Sequence, residues 1–309
     1  MTESDEVAIP SGETDLVLPT FIIGGTFPAG TGHLFSLIVQ HPEIYLPLPM
    51  APECNFFVKT RDYERGLGWY RERYFSKRSG ERAIGERSSL MLSGPGVADR
   101  VARHLPDVKL IFLLRNPVDR AYANYRFTAL AGHEVLPFPE ALAAESDRIA
   151  RNTDPFWSEI QPHAYFSRGI YAPQIETFTD RFPEDQLLLM RSDRLIKNPE
   201  GALPEILRFL DVDPTFVPEP APEFSSPSVL DLATHRSLRA EAPERFDAAI
   251  QHVREGLSPR DAHEERVAAN LKRGHDTLDP VLRQELTDRF RPYNLTLKDR
   301  VPFGIEDWL

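Results

Sequence analysis

The chain has 309 residues, 41% of them hydrophobic, which is enough for one large α/β domain or two small ones. Its 36 basic and 47 acidic residues give a net charge of −11, which argues against a general nucleic-acid-binding protein but allows one local basic pocket. The only cysteine, Cys54, excludes an intrachain disulfide and a cysteine-rich metal site, and it favours a reducing, cytoplasmic location. No apolar run approaches the roughly 20 residues that a membrane span requires.

The start of the chain is acidic and lacks the apolar core of a signal sequence. We therefore expect a disordered N-terminal arm over residues 1–18. The sequence contains no clean linker after it, so we expect a single domain over residues 19–309.

The first structured element is predicted from TFIIGG, residues 20–25, a short β-rich run that ends in glycines and is typical of a buried strand. A loop of small residues follows. Leu34, Leu37 and Ile38 then recur at helical spacing until Pro42 stops the pattern. The order is a strand, a glycine loop and a helix.

The same alternation continues along the chain. Strands are predicted for AIGE, VKLIFLLRNP and QLLLMRS, and helices for GVADRVARHLPD, PVDRAYANYRFTAL, YAPQIETFTDRF, PEGALPEILRFLD and DPVLRQELTDRFRPYNLTL. A continuous apolar run such as VKLIFLL is expected of a strand that is buried on both faces. Strands that alternate with helices predict an α/β fold with a mostly parallel central sheet flanked by helices.

Residues 216–266 differ from this pattern because they are rich in proline, serine and charge. We expect an irregular, lid-like segment here, with one solvated amphipathic helix at ERFDAAIQHVRE.

The glycine loop has the composition of an anion-binding turn. Gly30, Thr31 and Gly32 lie between the strand and the helix, where backbone N–H groups and the helix dipole favour a negative charge. A tight turn that binds nothing is the alternative. Gly25 and Gly30 have the spacing of an ATP-binding loop, but Thr31 and Gly32 stand where that motif has lysine and Ser/Thr. A nucleoside triphosphatase is therefore disfavoured.

Arg115 is placed at the carboxyl end of the strand VKLIFLL, where open α/β sheets bind their ligands. Its guanidinium could bind a phosphate through two parallel hydrogen bonds. The alternative is a salt bridge that caps its own strand. Arg120 and Arg126 follow on the next helix.

Several segments, taken together and in order, resemble the family of sulfotransferases that use 3′-phosphoadenosine 5′-phosphosulfate (PAPS), in particular its heparan-sulfate and bacterial branch. They are FIIGG, AGTGHLFSLIVQHPEIYLP, IGERSSLML, LIFLLRNPVDRAYANYRF, SRGIYAPQIETFTDRFPEDQLLLMRSDRLIKNPEGALPEILRFLDVDP and RFRPYNLTL. The resemblance implies a P-loop-like, three-layer α/β fold. It also implies transfer of a sulfuryl group from PAPS to a hydroxyl or amine without a metal.

The resemblance assigns roles to individual residues. It implies that Gly30, Thr31 and Gly32 hold the 5′-phosphosulfate, that Arg115 holds the 3′-phosphate, and that Glu86 is the catalytic base. A carboxylate at a strand end can accept the acceptor's proton; the alternative for Glu86 is a surface ion pair with Arg87 or Arg82. The segment NLKRGHD resembles a late loop that closes over the cofactor, which implies that Lys272, Arg273 and Gly274 touch its phosphates.

The sequence departs from the family at three positions. Pro28 stands where the family loop has lysine or arginine, Ala123 where it has a serine for the 3′-phosphate, and Ser89 where it has proline. Loss of a cation that stabilises the leaving phosphate costs about 3 kcal/mol or more. The candidates for a substitute cation are His33, Lys59 and Lys272. Of these, His33 at the start of the helix could donate to a phosphate or sulfate oxygen as a catalytic and cofactor-binding residue.

The sequence therefore predicts a sulfotransferase that acts on a small-molecule or glycan acceptor. One alternative is a non-catalytic protein that binds a nucleotide or a sulfated ligand on the same fold, and a kinase-like phosphoryl transferase is a weaker one. The histidines lack the i, i+4 spacing of a zinc helix, so we expect no metal, and we expect no nucleic-acid partner. The oligomeric state stays open, a homodimer included.

Overall fold

The structure is a computed structural model that describes residues 17–220, 227–272, 274 and 276–309. The predicted N-terminal arm lies outside the described residues except for Val17 and Leu18, which pack against the hydrophobic core. Part of the predicted arm therefore belongs to the packed body.

A five-stranded parallel sheet forms the centre of the protein, with the strands in the order β2-β3-β1-β4-β5. The strands are β1 (Phe21–Gly25), β2 (Ile44–Tyr45), β3 (Ala83–Arg87), β4 (Lys109–Leu114) and β5 (Leu187–Arg191). A small antiparallel pair lies apart from it, formed by β6 (Ser228–Val229) and β7 (Leu271–Lys272).

The helices flank the sheet on both faces. Within the described residues they are α1 (Thr31–Ile38), α2 (Thr60–Tyr63), α3 (Gly66–Phe75), α4 (Val97–His104), α5 (Pro117–Leu130), α6 (Phe138–Ala143), α7 (Glu145–Arg151), α8 (Pro155–Ile160), α9 (Tyr171–Thr179), α10 (Ser192–Lys197), α11 (Pro199–Phe209), α12 (Leu232–Glu241), α13 (Pro243–Glu255), α14 (Ala262–Ala269) and α15 (Pro280–Lys298).

Strand pleating divides the core into two layers. Along β4, Leu110, Phe112 and Leu114 point into a cluster with α3, α4 and α9, whereas Ile111 and Leu113 point into a cluster with α1 and α11. Successive side chains of a strand point to opposite faces, so a run without polar positions fits only a sheet that is covered on both sides. The predicted three-layer α/β fold is confirmed.

The segment 216–266 is more regular than predicted. It contains α12, α13 and α14, which share a small apolar cluster of Leu238, Phe246, Ala249 and Val267. The prediction of an irregular segment is wrong for these helices, although the predicted amphipathic helix is present as α13. Residues 221–226 lie outside the described residues, and the lid role stays a prediction.

The strand order places the predicted motifs side by side. β1 lies between β3 and β4, so their carboxyl ends meet at the edge where β1 runs into the loop before α1. Ligands of open α/β sheets bind at such an edge. Among the described residues, no helix has both the length and the apolar character needed to cross a bilayer.

Candidate active site at the carboxyl edge of the sheet

The loop between β1 and α1 presents uncapped backbone amides. Gly30 is the residue before the helix and has a φ of 81°, a left-handed conformation that favours glycine. Its position supplies no side-chain acceptor for the first turn, which comprises Thr31, Gly32 and His33. Helix N-termini without a cap leave N–H groups that an anion can satisfy.

A guanidinium group lies against this first turn. A Cβ atom placed on Gly32 would lie 3.1 Å from Nη1 of Arg87, the last residue of β3. Arg87 Nη2 donates to the carbonyl oxygen of Met50 at 3.0 Å, and its side chain is only 11% exposed. A fixed cation therefore accompanies the loop that has Pro28 in place of a basic residue.

Glu53 is the acidic partner of that cation. Its Oε1 lies 3.3 Å from Arg87 Nη2, and its carboxylate also accepts from the backbone N–H of Ser89 at 2.8 Å and from Ser89 Oγ at 2.6 Å. The side chain of Glu53 is 16% exposed, so solvent reaches part of the carboxylate. Ser89, which stands where the family has proline, thus orients Glu53.

Glu86 lies behind this pair, on the opposite face of β3. It is fully buried, and its Oε1 accepts from Ser88 Oγ at 3.1 Å. Its Oε2 has no hydrogen-bond partner among the described residues. Burial raises the pKa of Glu86 to about 7. Neither an open position at the strand end nor a surface ion pair with Arg87 or Arg82 is found, because strand alternation turns Glu86 inward while Arg87 faces the loop.

The other side of the loop is rich in arginine. Arg115 follows β4 directly. Burial lowers the pKa of its half-buried guanidinium, Asp119 and Tyr171 oppose this shift, and the nearby charges of Arg126 and Arg283 add to it. Within the described part of the chain, the Arg115 side chain forms no ion pair, so the predicted strand-capping salt bridge is absent. Asn116 caps α5 by accepting from the N–H of Val118 at 3.0 Å.

The late basic segment reaches the same side through α5. Lys272 Nζ lies 3.2 Å from Asp276 Oδ1, and the Asp276 carboxylate senses the charge of Arg126 on α5. Gly274 has a φ of 103°, which favours glycine. Arg273 lies outside the described residues. Lys272 is thus linked through Asp276 to the arginine-rich side, and the contact of Lys272 and Gly274 with phosphates stays a prediction.

His33, the predicted substitute for the missing cation, lies in the first turn of α1. The imidazole is half-buried, and burial lowers its pKa, so the ring is neutral at neutral pH. Its Nε2 is buried without a partner among the described residues. His33 can offer a hydrogen bond near the loop. Its predicted catalytic role stays a prediction.

The arrangement suits transfer of an anionic group. Uncapped amides and Arg87 can stabilise charge on a leaving phosphate, and Arg115 can bind a second phosphate. Glu53 is placed next to the same turn and can accept a proton. Among the described residues, no group of three or more histidine, cysteine, aspartate or glutamate side chains is arranged to hold a metal.

Comparison with known proteins decides the family. A model of the sulfotransferase domain matches residues 18–244 of the chain. The chain belongs to the sulfotransferase domain family. The predicted family is confirmed.

The similar proteins include enzymes that modify heparan sulfate. Heparan sulfate glucosamine 3-O-sulfotransferase 3B1 from Homo sapiens is 32% identical over 200 residues, which cover 65% of this chain and 48% of that protein. Bifunctional heparan sulfate N-deacetylase/N-sulfotransferase 2 from Homo sapiens is 26% identical over 303 residues, which cover 94% of this chain and 31% of that protein. The chain spans about half the length of the 3-O-sulfotransferases that it matches.

A solved structure supports the fold along most of the chain. A sulfotransferase from Alicyclobacillus acidocaldarius matches with a TM-score of 0.67 and 26% identity, and the match covers 94% of this chain and 99% of that one. The parallel sheet and its flanking helices are therefore those of a sulfotransferase.

Two of the site's residues were not found from the sequence. Glu53 lies in a segment without a motif of its own, and Arg87 entered only as an ion-pair partner for Glu86. Strand alternation could have separated the faces of Glu86 and Arg87. It could not have placed Glu53, because Glu53 and Arg87 are brought together by the path of the chain between β2 and β3.

Proposed function

We propose that this sulfotransferase-domain protein transfers the sulfuryl group of PAPS to a hydroxyl or amine acceptor. The observation that carries the proposal is the position of Arg87, whose guanidinium lies at the uncapped first turn of α1 and pairs with Glu53. The turn can thus bind an anion with amides and one cation, although its loop has Pro28. A working enzyme is favoured over a binding protein because a carboxylate accompanies the cation.

The residues present fit the donor. The amides of Thr31, Gly32 and His33 and the guanidinium of Arg87 would hold the 5′-phosphosulfate, and Arg115 would hold the 3′-phosphate. When bound, PAPS supplies an activated sulfuryl group with a phosphate as leaving group. Arg126 lies three residues beyond Ala123 on α5 and places its charge near Arg115, which offsets the missing serine.

Glu53 is the group that we assign to the acceptor's proton. Its carboxylate is partly exposed and lies beside the first turn of α1, whereas Glu86 is fully buried behind β3. A general base has to reach the proton that it removes. The sequence-based assignment of the base to Glu86 stays a prediction, and the two assignments separate in an experiment described below.

The acceptor that we propose is an uncharged glycan or small-molecule hydroxyl or amine. Relatives are named for heparan sulfate glucosamine, which favours a sugar. The net charge of −11 weakens long-range attraction of a polyanion, which disfavours a highly sulfated chain. A screen with radiolabelled PAPS against unsulfated glucosamine disaccharides, 4-nitrophenol and heparan sulfate tests this. Preferred transfer to heparan sulfate would contradict the proposed acceptor class.

The proposed location is the cytoplasm. It rests on Cys54, a buried free thiol, since free cysteines persist in reducing compartments. Fractionation of the cells that make the protein tests it, and recovery outside the cytoplasm would contradict it.

Calorimetry tests the proposed function directly. We expect 3′,5′-adenosine bisphosphate, the product of PAPS, to bind more tightly than ATP. Arg115→Ala should weaken the bisphosphate by about 30-fold, because charge-assisted hydrogen bonds are lost. Arg245→Ala is the control, since Arg245 is an exposed residue of α13. Equal affinity for both nucleotides, or an unchanged affinity in Arg115→Ala, would refute the proposed donor site.

A further inference from the structure

Two arginine side chains lie inside the protein without an acidic partner. Arg120 on α5 is 0% exposed and Arg168 is 4% exposed. Within the described part of the chain, no carboxylate oxygen lies within ion-pair distance of either guanidinium. Burying an unpaired charge costs folding free energy, so packing alone does not explain why the two arginines are present.

Neutral oxygens hold both guanidinium groups in place. Arg168 donates to the carbonyl oxygens of Ile160 at 2.6 Å and Gln161 at 3.0 Å, and to Ser93 Oγ at 3.2 Å. Arg120 donates to the carbonyl oxygen of Tyr165. These bonds do not cancel the charge, and Arg120 Nε is buried without a partner among the described residues.

Asn124 joins the two groups. Its Oδ1 accepts from Arg120 Nη1 at 3.1 Å and from Arg168 Nη1 at 2.9 Å. Its amide donates to Thr128 Oγ1 at 3.3 Å and to the carbonyl oxygen of Pro162 at 2.9 Å. An amide oxygen therefore occupies the place between two cations where a carboxylate would form two ion pairs.

The pair lies against the loop that lacks a basic residue. Arg120 Nη1 donates to the carbonyl oxygen of Phe27 at 3.1 Å, and Arg168 Cζ lies 5.9 Å from the centre of the Phe27 ring. Phe27 precedes Pro28, the position where the family loop carries its cation. The two buried charges thus contact Phe27, the neighbour of the position at which the family's cation is missing.

The charges around this pair do not cancel. Burial and the nearby charge of Arg120 together lower the pKa of Arg168 to about 9, while Glu145 opposes the shift. The Glu145 carboxylate accepts from the backbone N–H of Phe166 at 2.6 Å and of Ser167 at 2.8 Å. Burial lowers the pKa of Arg120, Tyr171 and Glu145 oppose this shift, and the charge of Arg115 adds to it. A net positive field therefore extends from Arg168 through Arg120 to Arg115.

We propose that Arg120 and Arg168 supply, from inside the protein, the positive field that Pro28 removes from the loop, and so attract the phosphosulfate of the donor. Charges act over longer distances in the interior than in water, so direct contact is not required. Arg120 and Arg168 are positioning residues here, since they act through Phe27 and the field. The inference rests on the proposed function, because it assumes an anionic donor at this loop.

Asn124→Asp tests the inference because it puts a carboxylate oxygen where both guanidinium groups already donate. We expect the affinity for 3′,5′-adenosine bisphosphate to fall about 10-fold, since the added carboxylate offsets one of the two buried positive charges. Asn152→Asp at the end of α7 is the control, because it adds the same charge and keeps its bond to the N–H of Asp154. A merely structural role of the arginines predicts an unchanged affinity in Asn124→Asp, and that result would overturn the inference.

A second pair of variants covers the case in which Asn124→Asp does not fold. Arg168→Lys and Arg168→Met both lose the planar set of hydrogen bonds. At pH 6.5 the lysine can carry a positive charge, whereas the methionine cannot. We expect Arg168→Met to bind the bisphosphate at least 5-fold more weakly than Arg168→Lys. Equal affinities would overturn the inference.

Inorganic pyrophosphate separates this inference from the proposed function. Binding of the bisphosphate that is insensitive to these variants refutes the inference alone. If the protein binds pyrophosphate but not the bisphosphate, and Asn124→Asp weakens the binding of pyrophosphate, the proposed field is supported and the nucleotide donor is refuted. A wild-type protein that binds neither anion refutes both.

Discussion

β3 and β4 flank the same central strand and end at the same glycine loop, yet β3 ends among carboxylates and β4 among guanidinium groups. Glu53 and Glu86 accompany the end of β3, with Arg87 as the cation in contact with Glu53. Arg115 and Arg120 follow β4, and their charges sense one another. One sheet edge therefore offers proton acceptance on one side and anion binding on the other.

Under the proposed function, this difference explains how a loop without its own lysine can bind an anionic donor. A doubly phosphorylated donor needs positive charge, which the β4 side supplies in excess. An acceptor hydroxyl needs a base, which the β3 side supplies. Arg87 is the exception on the β3 side, and it faces the loop rather than the interior.

The largest expected effect comes from the open carboxylate. Glu53→Gln should lower kcat about 10²- to 10⁴-fold, because proton removal by a base contributes that much. Binding of 3′,5′-adenosine bisphosphate should change little, because Glu53 is not among the groups assigned to the donor. Transfer from PAPS to the best acceptor of the screen provides the rate, and calorimetry provides the affinity.

Glu86→Gln is the matched variant for the buried carboxylate, and we expect it to keep most of the transfer rate. The opposite pattern, with a normal rate in Glu53→Gln and a collapsed rate in Glu86→Gln, would restore the sequence-based assignment of the base.

The next effect is expected from the cation on the β3 side. Arg87→Met should lower kcat about 10²-fold, since a preorganised donor to the leaving group is lost. Arg82→Met is the control, because Arg82 is exposed just before the opposite end of β3. Similar rates in the two variants would mean that Arg87 only anchors Glu53 and Met50.

The buried acid makes a separate prediction about stability. The pKa of Glu86 is raised from 4.5 to about 7, so the folded protein binds more protons than the unfolded chain between these values. Its contribution to stability is therefore full below pH 4.5, is lost as the pH rises to 7, and stays lost above it. The loss amounts to about 3 kcal/mol at most, at about 1.4 kcal/mol per pKa unit.

Urea unfolding at pH 5 and pH 8 measures this contribution. Glu86→Gln cannot ionise at this position. Its free energy of unfolding should therefore increase relative to that of the wild type as the pH rises. Glu200→Gln, at an exposed position, should follow the wild type. A constant difference between Glu86→Gln and the wild type at both pH values would show that Glu86 does not titrate in this range.

The smallest expected effect concerns the loop backbone. Gly30→Ala and Gly96→Ala should each lower the stability by about 1 kcal/mol, because both glycines have a positive φ before a helix. Only Gly30→Ala should also weaken the bisphosphate, since α4 lies away from the loop. Equal affinities for the bisphosphate in the two variants would show that the first turn of α1 is not part of the donor site.

The parts of the fold that were predictable are those fixed by local sequence. The apolar run at β4, the proline at the start of α5 and the glycine at position 30 each determine their own conformation. Arg115 was therefore placed correctly at a strand end. The pairing of Glu53 with Arg87 was not predictable, because it depends on how β2 and β3 are joined in space.

The segment 216–266 shows why composition misleads. Pro243 begins α13 rather than interrupting it, and Asp231 and Asp261 cap α12 and α14 by accepting from the first backbone N–H groups. Residues that are typical of irregular chain therefore mark helix starts. The small apolar cluster of Leu238, Phe246, Ala249 and Val267 was too sparse to reveal these helices.

The buried thiol of Cys54 is a natural probe of how often this part of the protein opens. The thiol is 3% exposed, and burial raises its pKa, so little reactive thiolate is present while the domain is closed. We expect alkylating reagents to reach it only when the chain around Cys54, whose N–H donates to the carbonyl oxygen of Arg87 at 3.2 Å, separates from β3. The rate of labelling therefore reports how often the β3 side of the cleft comes apart, and a bound donor that stiffens the cleft will slow it.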